Sequence, residues 1–157
     1  MSSKPEARLK ELGLTLPPPP KPVAKYKTAV LVGDLLYVSG HGPARVTDRT
    51  PLVGRVGAEL TTEQGKECAR SVGLNILSTL RNTLGSLDKV KRLVKTLGMV
   101  NCTPEYKDQP LVVNGFSELM ADVFGEEAGV GARSAVGMGS LPGSIGVEIE
   151  CIFEVAA

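Results

Sequence analysis

The stretch Val147–Val155 constrains this chain more than any other. Val147, Ile149, Cys151, Phe153 and Val155 alternate with Glu148, Glu150, Ile152 and Glu154. Successive side chains of a strand point to opposite faces, so this run predicts a strand with one apolar face. Its other face is acidic but interrupted by Ile152. A chain that contains it must build a sheet covered on one side, with the second side only partly wet.

The rest of the sequence supplies partners and cover. Thr28–Val32 and Leu35–Ser39 are β-rich runs around Gly33-Asp34, a two-residue hairpin signal. The second run ends in Ser39-Gly40-His41-Gly42-Pro43. Residues 44–60 contain Pro51, Gly54 and Gly57 and no period, which predicts a loop with a short strand near Val53–Val56. Thr61-Thr62-Glu63-Gln64 reads as a capping box, and Ala69, Val72, Ile76, Leu80 and Leu84 recur at helical spacing until Gly85. Gly73 falls on that face and would admit a close neighbour. Val90–Asn101 reads as a strand with Lys89, Lys91 and Lys95 on its wet side. Asp108 is the expected cap of a second helix, with Pro110 in its first turn, the stripe Val112, Phe116, Leu119, Val123, and a stop at Gly125. Arg133–Leu141 is a strand punctuated by Gly137 and Gly139 and broken by Pro142.

Ahead of this core, Ser3 and Glu6 read as a capping box with Pro5 in the first turn, predicting a helix over 4–12. Leu16–Val23 includes four consecutive prolines, which must be extended polyproline II. The segment reads as a stiff connector laying the helix on the body, with an SH3-type partner motif as the alternative. The element order β-β-(β)-α-β-α-β-β predicts an α+β fold, a mixed sheet with two helices packed on one face. The 157 residues suit one domain, with residues 1–22 as a helical and proline-rich extension and residues 23–157 as the core. The uncovered sheet face is expected to meet another subunit in a homo-oligomer.

Charge and composition exclude several functions. A formal net charge of +1 gives no pull towards nucleic acid or acidic membranes, and no apolar run approaches the ~20 residues of a membrane span. The first sixteen residues mix both signs of charge and lack a signal-type apolar stretch. Three distant cysteines read as reduced thiols of a cytoplasmic protein. With one histidine and no CxxC, no metal or other cofactor is expected. Few aromatics and no tryptophan argue against a nucleic-acid platform.

No nucleophile elbow, phosphate loop or dinucleotide fingerprint is present, so pattern alone assigns no reaction. The candidates are residues at strand ends. Arg133 follows Gly129-Val-Gly-Ala132, and its planar fork suits a carboxylate; on pattern alone the reading of a solvated surface arginine is the stronger one. Glu148 can order a water or carry a proton, or simply belong to the glutamate row. Tyr26, Ser39, Gly40 and Asn114 are candidate substrate contacts, and each also reads as an edge, turn or helix-surface residue. His41 is the one group that ordinarily titrates near neutrality. A His41–Cys102 nucleophilic pair lacks a visible orienting group.

Leu36-Tyr-Val-Ser-Gly40, Val112-Val-Asn-Gly-Phe116, Ala132-Arg-Ser134, Leu141-Pro142 and Val147-Glu-Ile-Glu150 together resemble the RidA/YjgF family over residues 23–155. The resemblance implies a chorismate-mutase-like fold and a homotrimer with active sites in the clefts between subunits. It also implies hydrolysis of 2-imino acids (2-iminopropanoate and 2-iminobutanoate) to 2-oxo acids and ammonia, without a cofactor. By position, Arg133 matches the carboxylate-binding arginine and Glu148 the water-placing glutamate. Tyr26, Ser39-Gly40 and Asn114 match cleft residues. The chain departs from the family at His41, where a glutamine is usual, at Ala135, and at Gly137 and Gly139. These bear on the substrate: a larger imino acid is expected to fit the trimmed strand, and His41 to join the rim. A trimeric binder of 2-oxo acids without turnover is the alternative, and a ribonuclease the third reading.

Overall fold

A computed structural model describes residues 4–44 and 53–156. Four helices are present among them: α1 (Pro5–Glu11), α2 (Thr62–Leu84), α3 (Gln109–Phe124) and α4 (Glu126–Gly129). The strands are β1 (Ala29–Val32), β2 (Leu35–His41), β3 (Val90–Asn101), β4 (Ala132–Met138) and β5 (Val147–Val155). They form one sheet in the order β1-β2-β5-β3-β4, with β3 and β4 parallel and the other neighbours antiparallel. The expected mixed α+β architecture is therefore present.

Helices α2 and α3 cover one face. Val147, Ile149, Cys151, Phe153 and Val155 are all buried beneath them, with Val72, Ile76, Leu80, Val112, Phe116 and Leu119. Gly73 has the predicted use: a Cβ there would lie 2.8 Å from Leu119 Cδ2, so the helices cross where α2 has no side chain. The α2 capping box forms as read: Gln64 N–H donates to Thr61 Oγ1 (3.1 Å) and Thr61 N–H to Gln64 Oε1 (2.9 Å). Gly85 closes the helix with φ 83°, a left-handed turn that needs no Cβ.

Three local readings are corrected. Val53 and Val56 form isolated bridges, to Ile145 and to Leu60 and Cys102, rather than a strand; Pro51 lies outside the described residues. Asp108 starts α3, but its side chain makes no capping bond; its carbonyl accepts from Leu111 and Val112 instead. The N-cap of α1 is Lys4, and Ser3 lies outside the described residues. The Glu6 carboxylate has its partners on other elements. It takes two bonds from the Arg81 guanidinium and one from Leu87 N–H, which holds its carboxyl below its ordinary value. With Leu9 buried and the Pro17 carbonyl accepting from Ser78 Oγ at 2.6 Å, the N-terminal segment is strapped along α2.

Candidate functional site

The sheet register decides which face each candidate occupies. In the parallel pair Arg133 lies beside Thr96. Paired residues share a face, and Thr96 is buried under the helices, so Arg133 faces α3. Its Nη1 donates to Asn114 Oδ1 (2.8 Å) and Ser117 Oγ (3.1 Å), and its Nη2 to the Pro110 carbonyl (3.4 Å). Pro110, Asn114 and Ser117 sit at i, i+4 and i+7, a polar stripe beside the apolar one. Asn114 is thereby tied to Arg133, as one site. Ser117 and the Pro110 carbonyl escaped the sequence reading; their helical spacing from Asn114 was the available signal. Both bonds from Nη1 go to α3, which leaves Nε–H and the second Nη2 proton as the side-on pair of donors that a carboxylate can accept from. Partial burial lowers the guanidinium pKa from its ordinary value, and the group stays a cation.

Glu148 alternates with buried Val147 and Ile149, so it lies on the opposite, helix-free face. There β2 carries a bulge: between Val38, paired with Cys151, and His41, paired with Ile149, Ser39 and Gly40 together oppose Glu150 alone. Glu148 rests in the gap at Gly40, where a Cβ would overlap Oε1 and sit 3.0 Å from Cδ. Only glycine leaves this seat open. Burial, with Glu150 adding to it, raises the Glu148 pKa above its ordinary value. A raised carboxyl pKa makes a stronger base at neutral pH.

Ser39 joins the same corner. Its Oγ donates to the Lys27 carbonyl (2.6 Å) and its N–H to that of Thr28 (2.9 Å), which fixes the segment carrying exposed Tyr26 beside it. Ser39 also lines a hollow of about 480 Å³ on the open face, with Tyr37, Lys95, Leu97 and Ile152.

His41 is elsewhere. Without the bulge it would follow Ser39 onto the open face; the extra residue turns it inward, and it is only 5% exposed. Nδ1 contacts the Ser39 carbonyl (2.6 Å) and Nε2 the Thr79 hydroxyl (2.8 Å). The expected titrating group on the rim is thus corrected to a buried one, and burial lowers its pKa. Cys102 is bonded by Gln109 Nε2 at 3.6 Å. His41 is engaged by Ser39 and Thr79, so the two do not form a pair. The trimmed strand is not empty at Gly137 either, where a Cβ would lie 2.9 Å from Cys102 Sγ and 3.0 Å from Gln109 Nε2.

Within one chain the candidates therefore form two groups. Arg133 and Asn114 lie against α3, while Glu148, Ser39, Gly40 and Tyr26 lie at the corner of the open face. Among the described residues no hydrogen bond or ion pair joins the groups.

Residues 6–144 match the family model described as "YjgF/chorismate_mutase-like, putative endoribonuclease". Protein TCP17 of Trypanosoma cruzi is 39% identical over 154 residues, 98% of this chain and 96% of that protein. The crystal structure of Atu1372 from Agrobacterium tumefaciens, a protein of unknown function, is 41% identical. It superposes with a TM-score of 0.87 over 97% of this chain and 92% of that one. A Shewanella oneidensis structure with the same endoribonuclease description is 26% identical, with a TM-score of 0.91 over 98% of this chain and all of that one.

Proposed function

This chain belongs to the YjgF/chorismate-mutase-like family, the RidA/YjgF group its motifs resemble, and from that premise we propose that it hydrolyses small 2-imino acids to 2-oxo acids and ammonia. The observation that carries this reading is the Arg133 guanidinium, clamped to α3 through Nη1 and, more loosely, Nη2, which leaves Nε–H and one Nη2 proton for a ligand. A clamped fork holds a substrate carboxylate with little further ordering cost. The C=N carbon next to that carboxylate is then placed for attack.

The base comes from a second copy. Arg133 and Glu148 lie on opposite faces of one sheet, so one carboxylate-bound substrate reaches both only in a cleft between chains. The open face, with Val30 and Tyr37 nearly half exposed beside Ile152, supplies the apolar surface for that contact. The assembly is a homotrimer on the family pattern. Glu148 takes a proton from water as its oxygen bonds to the imine carbon and the C=N pair moves to nitrogen. Glu148 returns that proton to nitrogen to give the neutral carbinolamine, which then collapses: Glu148 takes the hydroxyl proton as C=O forms, the C–N bond breaks, and nitrogen leaves as ammonia with this second proton. No redox partner is needed. Positioning a small acid and one water offsets several kcal/mol of barrier.

The test generates 2-iminobutanoate with a threonine dehydratase and follows its decay. Wild type accelerates the decay, whereas Arg133→Ala and Glu148→Gln each lose most of the acceleration, by roughly a hundredfold or more. Mixing the two variants after subunit exchange restores about a quarter of wild-type activity, since that fraction of random interfaces joins an intact arginine to an intact glutamate. No restoration on mixing overturns the shared site. Saturable 2-oxobutyrate binding without any acceleration replaces the hydrolase by a binding protein, and RNA cleavage indifferent to Arg133→Ala replaces it by a nuclease.

A further inference from the structure

The mechanism leaves the buried imidazole of His41 unused. His41 sits at the downstream end of the β2 bulge that creates the seat for Glu148. The Ser39 carbonyl can only accept, so the His41 Nδ1 carries the proton and donates to it at 2.6 Å. In the neutral ring Nε2 then accepts from the Thr79 hydroxyl at 2.8 Å. Thr79 is one of three polar residues on a single stripe of α2, spaced by four. Asn75 Nδ2 donates to the Gly42 carbonyl at 3.0 Å, and Ser71 Oγ takes the Ala44 N–H at 2.9 Å. Helix α2 therefore grips the exit of β2 at three successive points. His41 is the one that reaches back into the bulge itself.

A bulge interrupts the ladder and leaves a carbonyl in want of a donor. Here the histidine ring is that donor. We propose that His41 is a positioning residue: by tying the Ser39 carbonyl to α2 it holds the bulge open at Gly40 and so fixes the carboxylate of Glu148. Catalytic use of that carboxylate rests on the hydrolase reading; the geometric link does not. The link also accounts for a histidine sealed from solvent beside a candidate active corner. Rigid support of this kind matters because a displacement of about 1 Å at a reacting group can cost around a hundredfold in rate.

Two conservative variants separate the bonds. His41→Asn keeps a donor at the Nδ1 position and loses Thr79; His41→Gln reaches Thr79 and loses the Ser39 carbonyl. His41→Ala loses both. In the imine assay, kcat is expected to fall at least about tenfold in His41→Ala and His41→Gln and to recover to within about threefold of wild type in His41→Asn. The inhibition constant of 2-oxobutyrate, which reads Arg133, should stay within about twofold in all three. A purely structural role would lower stability without this split. The second readout needs no turnover: carbon-13 NMR of the Glu148 carboxyl in glutamate-labelled protein. Its titration midpoint should drop towards that of an ordinary glutamate in His41→Gln and stay in place in His41→Asn. Should wild type fail to hydrolyse imines, the hydrolase reading falls while the NMR comparison still decides this one. Equal behaviour of the Asn and Gln variants in both readouts, or unchanged kcat in His41→Ala, overturns the proposal; if His41→Ala does not fold, the Asn and Gln pair carries the test.

Discussion

The two faces of the sheet are built from the same strands and end up unlike. On the helix side, β5 presents Ile149, Cys151 and Phe153, and the chain's own helices bury all of them. On the other side the same strand presents Glu148, Glu150, Ile152 and Glu154, beside exposed Val30, Tyr37 and Val136. One face is complete in a single chain. The other holds apolar groups that the chain does not cover, next to carboxylates that it partly does. Stability thus resides on the first face, at whose β4 edge Arg133 stands against α3, while Glu148 stands on the second, and His41 links the bulge beside Glu148 to helix α2.

Substitutions on each face sharpen the contrast. Phe116→Ala empties the centre of the covered face and should lower the unfolding free energy by about 3–5 kcal/mol in denaturant titrations. Ile152→Lys on the open face should leave the circular dichroism of the isolated chain unchanged yet weaken association by roughly 3 kcal/mol, seen by light scattering, with imine turnover falling alongside. If Ile152→Lys unfolds the chain instead, the faces are not the separate systems described here. Glu6→Gln, which weakens the strap to Arg81, should cost no more than about 1 kcal/mol because the pair is partly exposed.

The smallest effect is in pH. Burial lowers the His41 pKa, so the unfolded chain binds the proton more readily than the folded one. Its contribution is therefore complete above the ordinary value of 6.5 and declines as pH falls below it. Glu6, held low chiefly by Arg81, contributes above 4.5 and loses that contribution at lower pH. Glu148 runs the other way: its pKa is raised, so its burial opposes folding above 4.5 and stops doing so in acid. The melting temperature should accordingly decline between pH 7 and 5.5 in wild type. That slope should vanish in His41→Asn, since asparagine does not titrate.

Much of this architecture was legible in advance because it is encoded locally. The alternation of Val147–Val155, the Thr61–Gln64 capping box and the stop at Gly85 depend on neighbours a few residues away, and each appears where its pattern places it. Glu6 marks where local spacing stops. Ser3, its expected partner, lies outside the described residues, while the Glu6 carboxylate meets the Arg81 guanidinium from a distant helix, a charged partner that no local pattern encodes. The motif residues were legible as candidates, not as a site. Only helical spacing from Asn114 hints at the bond of Ser117 to Arg133, and nothing near Thr79 announces His41.

By itself the sequence determined that one face of the sheet is apolar, where the helices begin and end, and which residues carry charge suited to a small organic acid, because periodicity and capping act over a few residues. Tertiary structure alone decided on which side those residues stand. A single extra residue in β2 reverses a strand's alternation and sends His41 inward, and the parallel pairing of β3 with β4 turns Arg133 towards α3, away from Glu148. Both are matters of register between distant segments, which no local pattern encodes.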